Sequence, residues 1–464
     1  MCSAQMKRVI ISIIKKIGID KSIAYSSGSR IINAFAGILT ILVIAKFFSG
    51  EEQGLYYTFG SIVALQVFFE LGLTGILTQF VAHENAHIEW ENNKISGGDK
   101  KHLSRLSHLF LFTQKWYIVI SIVFLVVILT VGFYFFYRYA NGISISEWLS
   151  PWFLVTTATA ANLFLAPFYS ILAGVGKIKE TSKISFYQQI IMPLAVWTTI
   201  FCGGNLYAIG IGYWCSFITG IVIIRFSVLW KIIKEIRKQP ITDKVSYKKE
   251  IFPYQWKIAL SWASGYFVFQ LFNPVLYATS GAVVAGQMGM TLSAINGVSS
   301  LSASWISTKV PLFSKLIALK DYVHLDSIFR KTTIQLGLIC TSMLVLFWII
   351  IYVLKYFHIP LGSRFIDLLS LAFMEIAILA NQYSNSWAVY LRCHKQEPLL
   401  VNSLVGAITC GISTIVLAKY TGIVGMTLGY CILRIVIMYW TYIVYKNKRK
   451  KWHSLNSDNL NITP

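Results

Sequence analysis

The chain has 464 residues, 56% of them apolar and only 13% charged, with a formal net charge of +22. Apolar stretches recur from about residue 23 to residue 445, which excludes a water-soluble globular protein and points to an all-α polytopic membrane protein. The positive excess is accounted for by loop orientation, so a nucleic-acid partner is not implied.

In chain order, the run VIISII between Lys7 and Lys15 has no small-residue cleavage site after it and reads as an interfacial helix within residues 1–22. Apolar spans follow near 23–48, 54–80, 108–137, 149–173, 184–202 and 207–230. A second set lies near 258–280, 284–308, 334–354, 365–391, 399–418 and 423–445. Each is about as long as, or longer than, the ~20 residues that a helix needs to cross the hydrocarbon layer. The widest break is the basic segment 231–257, which divides a bundle over 23–230 from a bundle over 258–445, with a basic tail at 446–464.

Alternate loops, counted from the N-terminus, carry 32 Lys and Arg against 4 on the opposite side, namely Arg138, Lys355, Arg364 and Lys419. This asymmetry places both termini in the cytoplasm. The seven cysteines, Cys2, Cys202, Cys215, Cys340, Cys393, Cys410 and Cys431, lack CxxC spacing and read as unbridged thiols. The sequon at Asn461 falls on the cytoplasmic side and is discounted.

The halves repeat. SGEEQGLYYTF at 49–59 enters the second span as SGAVVAGQMGM at 280–290 enters the eighth, with Gly54 opposite Gly286. GVGKIKE ending at Glu180 matches RCHKQE ending at Glu397, and AIGIGY at 208–213 matches GMTLGY at 425–430. Six spans per half is an even number, so both halves insert the same way round and the repeat is parallel.

Ionisable groups inside spans cost at least ~2.5 kcal/mol on insertion scales, which makes them the first site candidates. Arg30 and Glu70 lie at depths where they can pair; such a pair either fixes helix register or leaves Arg30 as a contact for an anionic head group. Arg434 sits halfway along the last span, where snorkelling is hardest, whereas Arg225 is near a membrane face. Lys46 lies by Glu51 and Glu52 at the outer mouth. Glu375 has no basic partner at its depth and is either a neutral buried carboxyl or the carrier of a coupling proton.

His83, Glu84 and His87 spell HENAH, which fits the zinc-protease spacing HExxH. The extended pattern would want glycine at Trp90 and histidine at Asn93, and the segment falls where a span meets water. No nucleophile elbow, P-loop or suitably spaced carboxylate pair is present, so no catalytic residue, metal or cofactor is assigned.

Segments GEEQGLYYTFGSIVALQVFFELGLTGILTQFVAHE (50–84) and GAVVAGQMGMTLSAINGVSSLSASWISTKVPLFSKLIALK (281–320) resemble the Wzx-type O-antigen flippases of the multidrug/oligosaccharidyl-lipid/polysaccharide (MOP) exporter superfamily. The resemblance implies a MATE-like fold of two six-helix bundles in the bacterial inner membrane, alternating between its faces. It further implies, as cargo, sugar repeat units on undecaprenyl pyrophosphate, with a coupling proton or sodium ion, membrane lipid and other polysaccharide-assembly proteins as partners. The lipid II flippases of that superfamily carry arginine in span eight, and here that span has none before Lys309. Arg30 and Arg434, with Glu70 and Lys46, are therefore the expected head-group contacts, and Glu375 the ion-coupling candidate. The alternative is a MATE-like antiporter of drugs or metabolites.

Overall fold

The computed structural model describes the backbone of residues 21–140, 142–394 and 398–460, and all side chains there except those of 21–31, 34, 254, 257, 261, 262 and 453–460. The interfacial helix expected within 1–22, Cys2 and Asn461 lie wholly or mostly outside these residues.

The first helix, α1, spans Lys21–Phe47. α2 (Gly50–Val63) begins on a capping box, with Ser49 and Glu52 each taking the other's backbone N–H. It runs through a 3₁₀ turn and α3 (Val67–Glu70) before the chain bends by 40° into α4 (Leu73–Asn85). Leu71 (φ 51°) and Gly72 (φ 65°) make that bend, because two left-handed residues in succession cannot continue a right-handed helix.

A hairpin not foreseen from the apolar pattern follows, β1 (Ile88–Glu91) and β2 (Lys94–Gly98), antiparallel about Asn92 and Asn93. Both asparagines have positive φ (49° and 63°), as a tight hairpin turn requires. α5 (Lys100–Tyr139), α6 (Ile145–Gly174), α7 (Ile178–Phe201) and α8 (Tyr207–Phe226) complete the first half. α9 (Val228–Lys238) is short and amphipathic, burying Leu229, Ile232, Ile233 and Ile236 at helical spacing.

The second half contains α10 (Phe252–Phe269), α11 (Phe272–Ser280), α12 (Ala282–Ser307), α13 (Val310–Ala318), α14 (Tyr322–Tyr356), α15 (Leu368–Cys393) and α16 (Leu400–Leu460). α16 is two rods joined at Gly422, whose φ of 66° and ψ of −155° are open to glycine alone. That break falls between the eleventh and twelfth spans expected from the sequence.

Among the described residues six helices are long and apolar enough to cross a membrane, and the bent pair through α4 adds a seventh. The remaining expected spans coincide with α1, the α10–α11 pair, α12, α15 and the second rod of α16. On α5 the exposed Val119, Ile122, Val123 and Val126 fall at helical spacing, an apolar face suited to contact with lipid. The protein is thus an all-α polytopic membrane protein, apart from one small hairpin.

The described residues form two compact units, one within 21–36, 69–133 and 149–256 and another within 37–68, 134–148 and 257–460. Within the second unit α2 lies directly on α12. A Cβ on Gly54 would stand 2.0 Å from the Ala282 carbonyl oxygen, and one on Gly286 would stand 2.8 Å from the Gly54 nitrogen, so the backbones meet with no side chain between them. Buried Gln53 bridges the crossing, donating from Nε2 to the carbonyls of Gly286 (2.8 Å) and Arg364 (3.1 Å). Arg364 in turn donates to the Phe48 carbonyl.

Candidate functional site

Within the second unit, α10, α15 and both rods of α16 enclose a cavity of about 380 Å³, within the usual range for small-molecule sites. α15 lines it with Asn381, Asn385 and Arg392, spaced by 4 and 7 residues so that they share one helix face. The first rod of α16 supplies Asn402 and Ser403, and α10 supplies Ser264. From the second rod Arg434 enters, 8% exposed, and donates a hydrogen bond from Nη2 to the Asn381 amide oxygen.

The polar groups of this cavity are under-satisfied. Arg434 Nε, Gln382 Oε1 and Asn402 Nδ2 are buried with no hydrogen-bond partner among the described residues. Leaving such groups unmet costs about 1–3 kcal/mol each, more for a charged one, so a native site carries them where a ligand or water completes them. A guanidinium offers a fixed fork of donors suited to phosphate or carboxylate oxygens, and side-chain amides offer both donors and acceptors to hydroxyls. The combination suits an anionic, hydroxyl-rich ligand and repels a cation.

Glu375 lies two turns before Gln382 on the same face of α15, buried, with Oε1 unpaired among the described residues. Glu70 ends α3 at the bend and accepts a hydrogen bond from Thr74 Oγ1. Arg30 is in α1, but its side chain is outside those described, so its pairing with Glu70 is not displayed. Lys46 is exposed in the last turn of α1, with its ammonium 5.5 Å from the Phe47 ring centre. Of the candidates whose side chains are described, Arg434 alone lines this cavity; the amides of α15 and α16 are its unforeseen members.

HENAH lies in the first unit at the end of α4. Glu84 is buried and accepts from Arg105 Nε at 2.9 Å, while its other oxygen is 2.6 Å from His102 Nδ1. Arg105 also donates to Glu250 at 2.6 Å. The His87 and His102 rings stack at 4.1 Å. Burial pushes the Glu250 carboxyl up, but the hydrogen bond from Arg105 and one from the Ser246 N–H outweigh this and hold it below its ordinary range. Nearby, Ser104 Oγ accepts from the N–H groups of Thr242 and Asp243, at 2.7 Å each. This cluster ties the segment before α10 to the start of α5. Glu84, the would-be general base, is spent on an ion pair.

Solved structures that share this fold are MATE transporters and a lipid II flippase. An inward-facing multidrug-resistance MATE transporter of the MOP superfamily superposes with a TM-score of 0.66, at 11% identity over 94% of this chain and 99% of that one. The lipid II flippase MurJ, in an inward closed conformation, gives 0.56 at 16% identity over 95% and 93%. An outward-facing MATE transporter gives 0.53 at 11% identity over 95% and 98%. No family model matches the chain. No curated protein matches it either. At these identities the likeness is one of fold.

Proposed function

We propose that this protein is a flippase that moves undecaprenyl-pyrophosphate-linked oligosaccharide, of the O-antigen or a similar surface-glycan type, from the cytoplasmic to the periplasmic leaflet of a bacterial inner membrane. The observation that carries this reading is Arg434, buried with an unpaired Nε in a cavity lined by amides and hydroxyls. Pyrophosphate needs a permanent counter-charge at low dielectric, sugars need donors and acceptors, and the polyprenyl tail can remain in lipid. The fold shared with a lipid II flippase supports the same class of cargo.

Glu375 is assigned the coupling role. Its burial without a partner favours a proton over a sodium ion, because a lone carboxyl neutralises by protonation, whereas a sodium ion needs several oxygen ligands at once. The closer superposition on a MATE multidrug transporter favours the second reading, a small-molecule antiporter. The cationic cavity weighs against lipophilic cations as its substrates.

The test is surface glycan in a strain lacking its own flippase, at matched membrane expression. Arg434→Ala abolishes it and Arg434→Lys retains part, because lysine supplies charge without the bidentate fork. Near-normal glycan with Arg434→Ala removes the proposed site.

A further inference from the structure

Away from the amide-lined cavity, α14 and the far end of α16 enclose a wider cleft of about 1020 Å³. We propose that this cleft binds the phosphate headgroup of an anionic phospholipid, with an acyl chain lying along α14.

The charge of the cleft is the first argument. Arg330, Lys331 and Arg449 line it with a single acid, Asp326. That acid is already matched: its Oδ2 accepts from Arg449 Nε (2.9 Å) and Nη2 (2.6 Å), and Oδ1 accepts from the Tyr390 hydroxyl at 3.0 Å. The surplus is therefore the two exposed cations on α14. Thr333 lines the cleft with them, 8% exposed, its hydroxyl buried without a partner among the described residues. Two cations and an unmet hydroxyl on one turn of helix form a receptor for phosphate oxygens.

The second argument is what lies one turn further along. Ile334 and Leu338 follow Arg330 at intervals of four, 49% and 65% exposed, so an apolar rail continues the same helix face. Tyr442 lines the cleft from α16, 40% exposed, and Trp387, which also lines it, packs at 5.1 Å from the Tyr442 ring. Aromatic rings at headgroup level with aliphatic side chains beyond them match the profile of one leaflet. A soluble phosphate would use the cations and leave the rail unexplained. α16 continues from the cleft into the basic run Lys446–Lys451, so this end of the helix belongs to the face that anionic lipid attracts.

The experiment is native mass spectrometry of the purified full chain in detergent, titrated with phosphatidylglycerol or phosphatidylcholine. Retention of phosphatidylglycerol over phosphatidylcholine is expected. Arg330→Gln with Lys331→Gln lowers it about thirtyfold, the product of two cation contributions near an anionic surface. Both residues are exposed, so folding is not at risk; Thr333→Val and Ile334→Asn each weaken retention separately. Lys450→Gln with Lys451→Gln, an equal loss of charge outside the cleft, changes it less than twofold. An equal loss in that control overturns the proposal in favour of a diffuse field. Full competition by inorganic phosphate reassigns the cleft to a soluble anion, and preferential displacement by undecaprenyl pyrophosphate makes it a substrate site.

Discussion

Two buried clusters of this protein handle charge in opposite ways. Around Glu84 every strong group is matched, with two basic partners for one carboxylate and a second carboxylate for Arg105. Around Arg434 one guanidinium meets an amide oxygen while its Nε and two neighbouring amide atoms have no partner among the described residues. Matched charge holds chain segments together, and unmatched charge raises the free energy of the empty site until something binds. The difference separates a fastening from a receptor without reference to sequence motifs, and it assigns HENAH to the first kind.

The largest expected effect breaks the matched cluster. Glu84→Ala leaves Arg105 short of one partner in a half-buried place and lowers stability by about 3–5 kcal/mol, read as a fall in melting temperature in detergent. Glu84→Leu combined with Arg105→Met restores most of it, since removing both charges leaves none stranded. An unchanged melting temperature in Glu84→Ala would show that the pairing holds nothing.

The converse substitution sharpens the contrast. Arg434→Leu removes an under-satisfied charge, so stability stays within about 1 kcal/mol of the parent or rises, while surface glycan is lost. A strongly destabilised Arg434→Leu would place that arginine with the fastenings. The smallest effect is one of pH. Glu250 is held below its ordinary value of about 4.5, so its contribution is full above that value and is lost as pH falls through the lower folded value. The melting temperature therefore drops more steeply below about pH 4.5 in the parent than in Glu250→Gln. Parallel curves would remove Glu250 from the cluster.

Much of the fold was legible because the bilayer demands long apolar helices, and the break at Gly422 falls between spans that hydropathy alone separates. Helix ends were less legible. α5 begins at Lys100 and α14 at Tyr322, well before their apolar stretches, since hydropathy marks the edge of hydrocarbon and not the end of the helix. The hairpin at 88–98 was hidden among polar loop residues, although Asn92 and Asn93 between Trp90 and Ile95 carry a turn signal. Arg434 stood out as a charge in a span. Asn381, Asn385 and Asn402 did not, because uncharged amides are unremarkable until α15 and α16 bring them to one cavity.

The Gly54–Gly286 crossing bears on how such a chain can evolve. The two glycines, counterparts between the halves to within one residue of register, touch each other. In a homodimer of a single half, that position would meet its own copy, and any substitution would appear on both sides of the contact at once. Joined in tandem, the two sides are free to diverge. Gln53 stands on one side only: its side-chain amide donates to the Gly286 and Arg364 carbonyls, and Ala285, before the partner glycine, has no side-chain amide with which to return the bond. One residue in one half thus adds to the backbone packing a polar tie that can change without reshaping the other half.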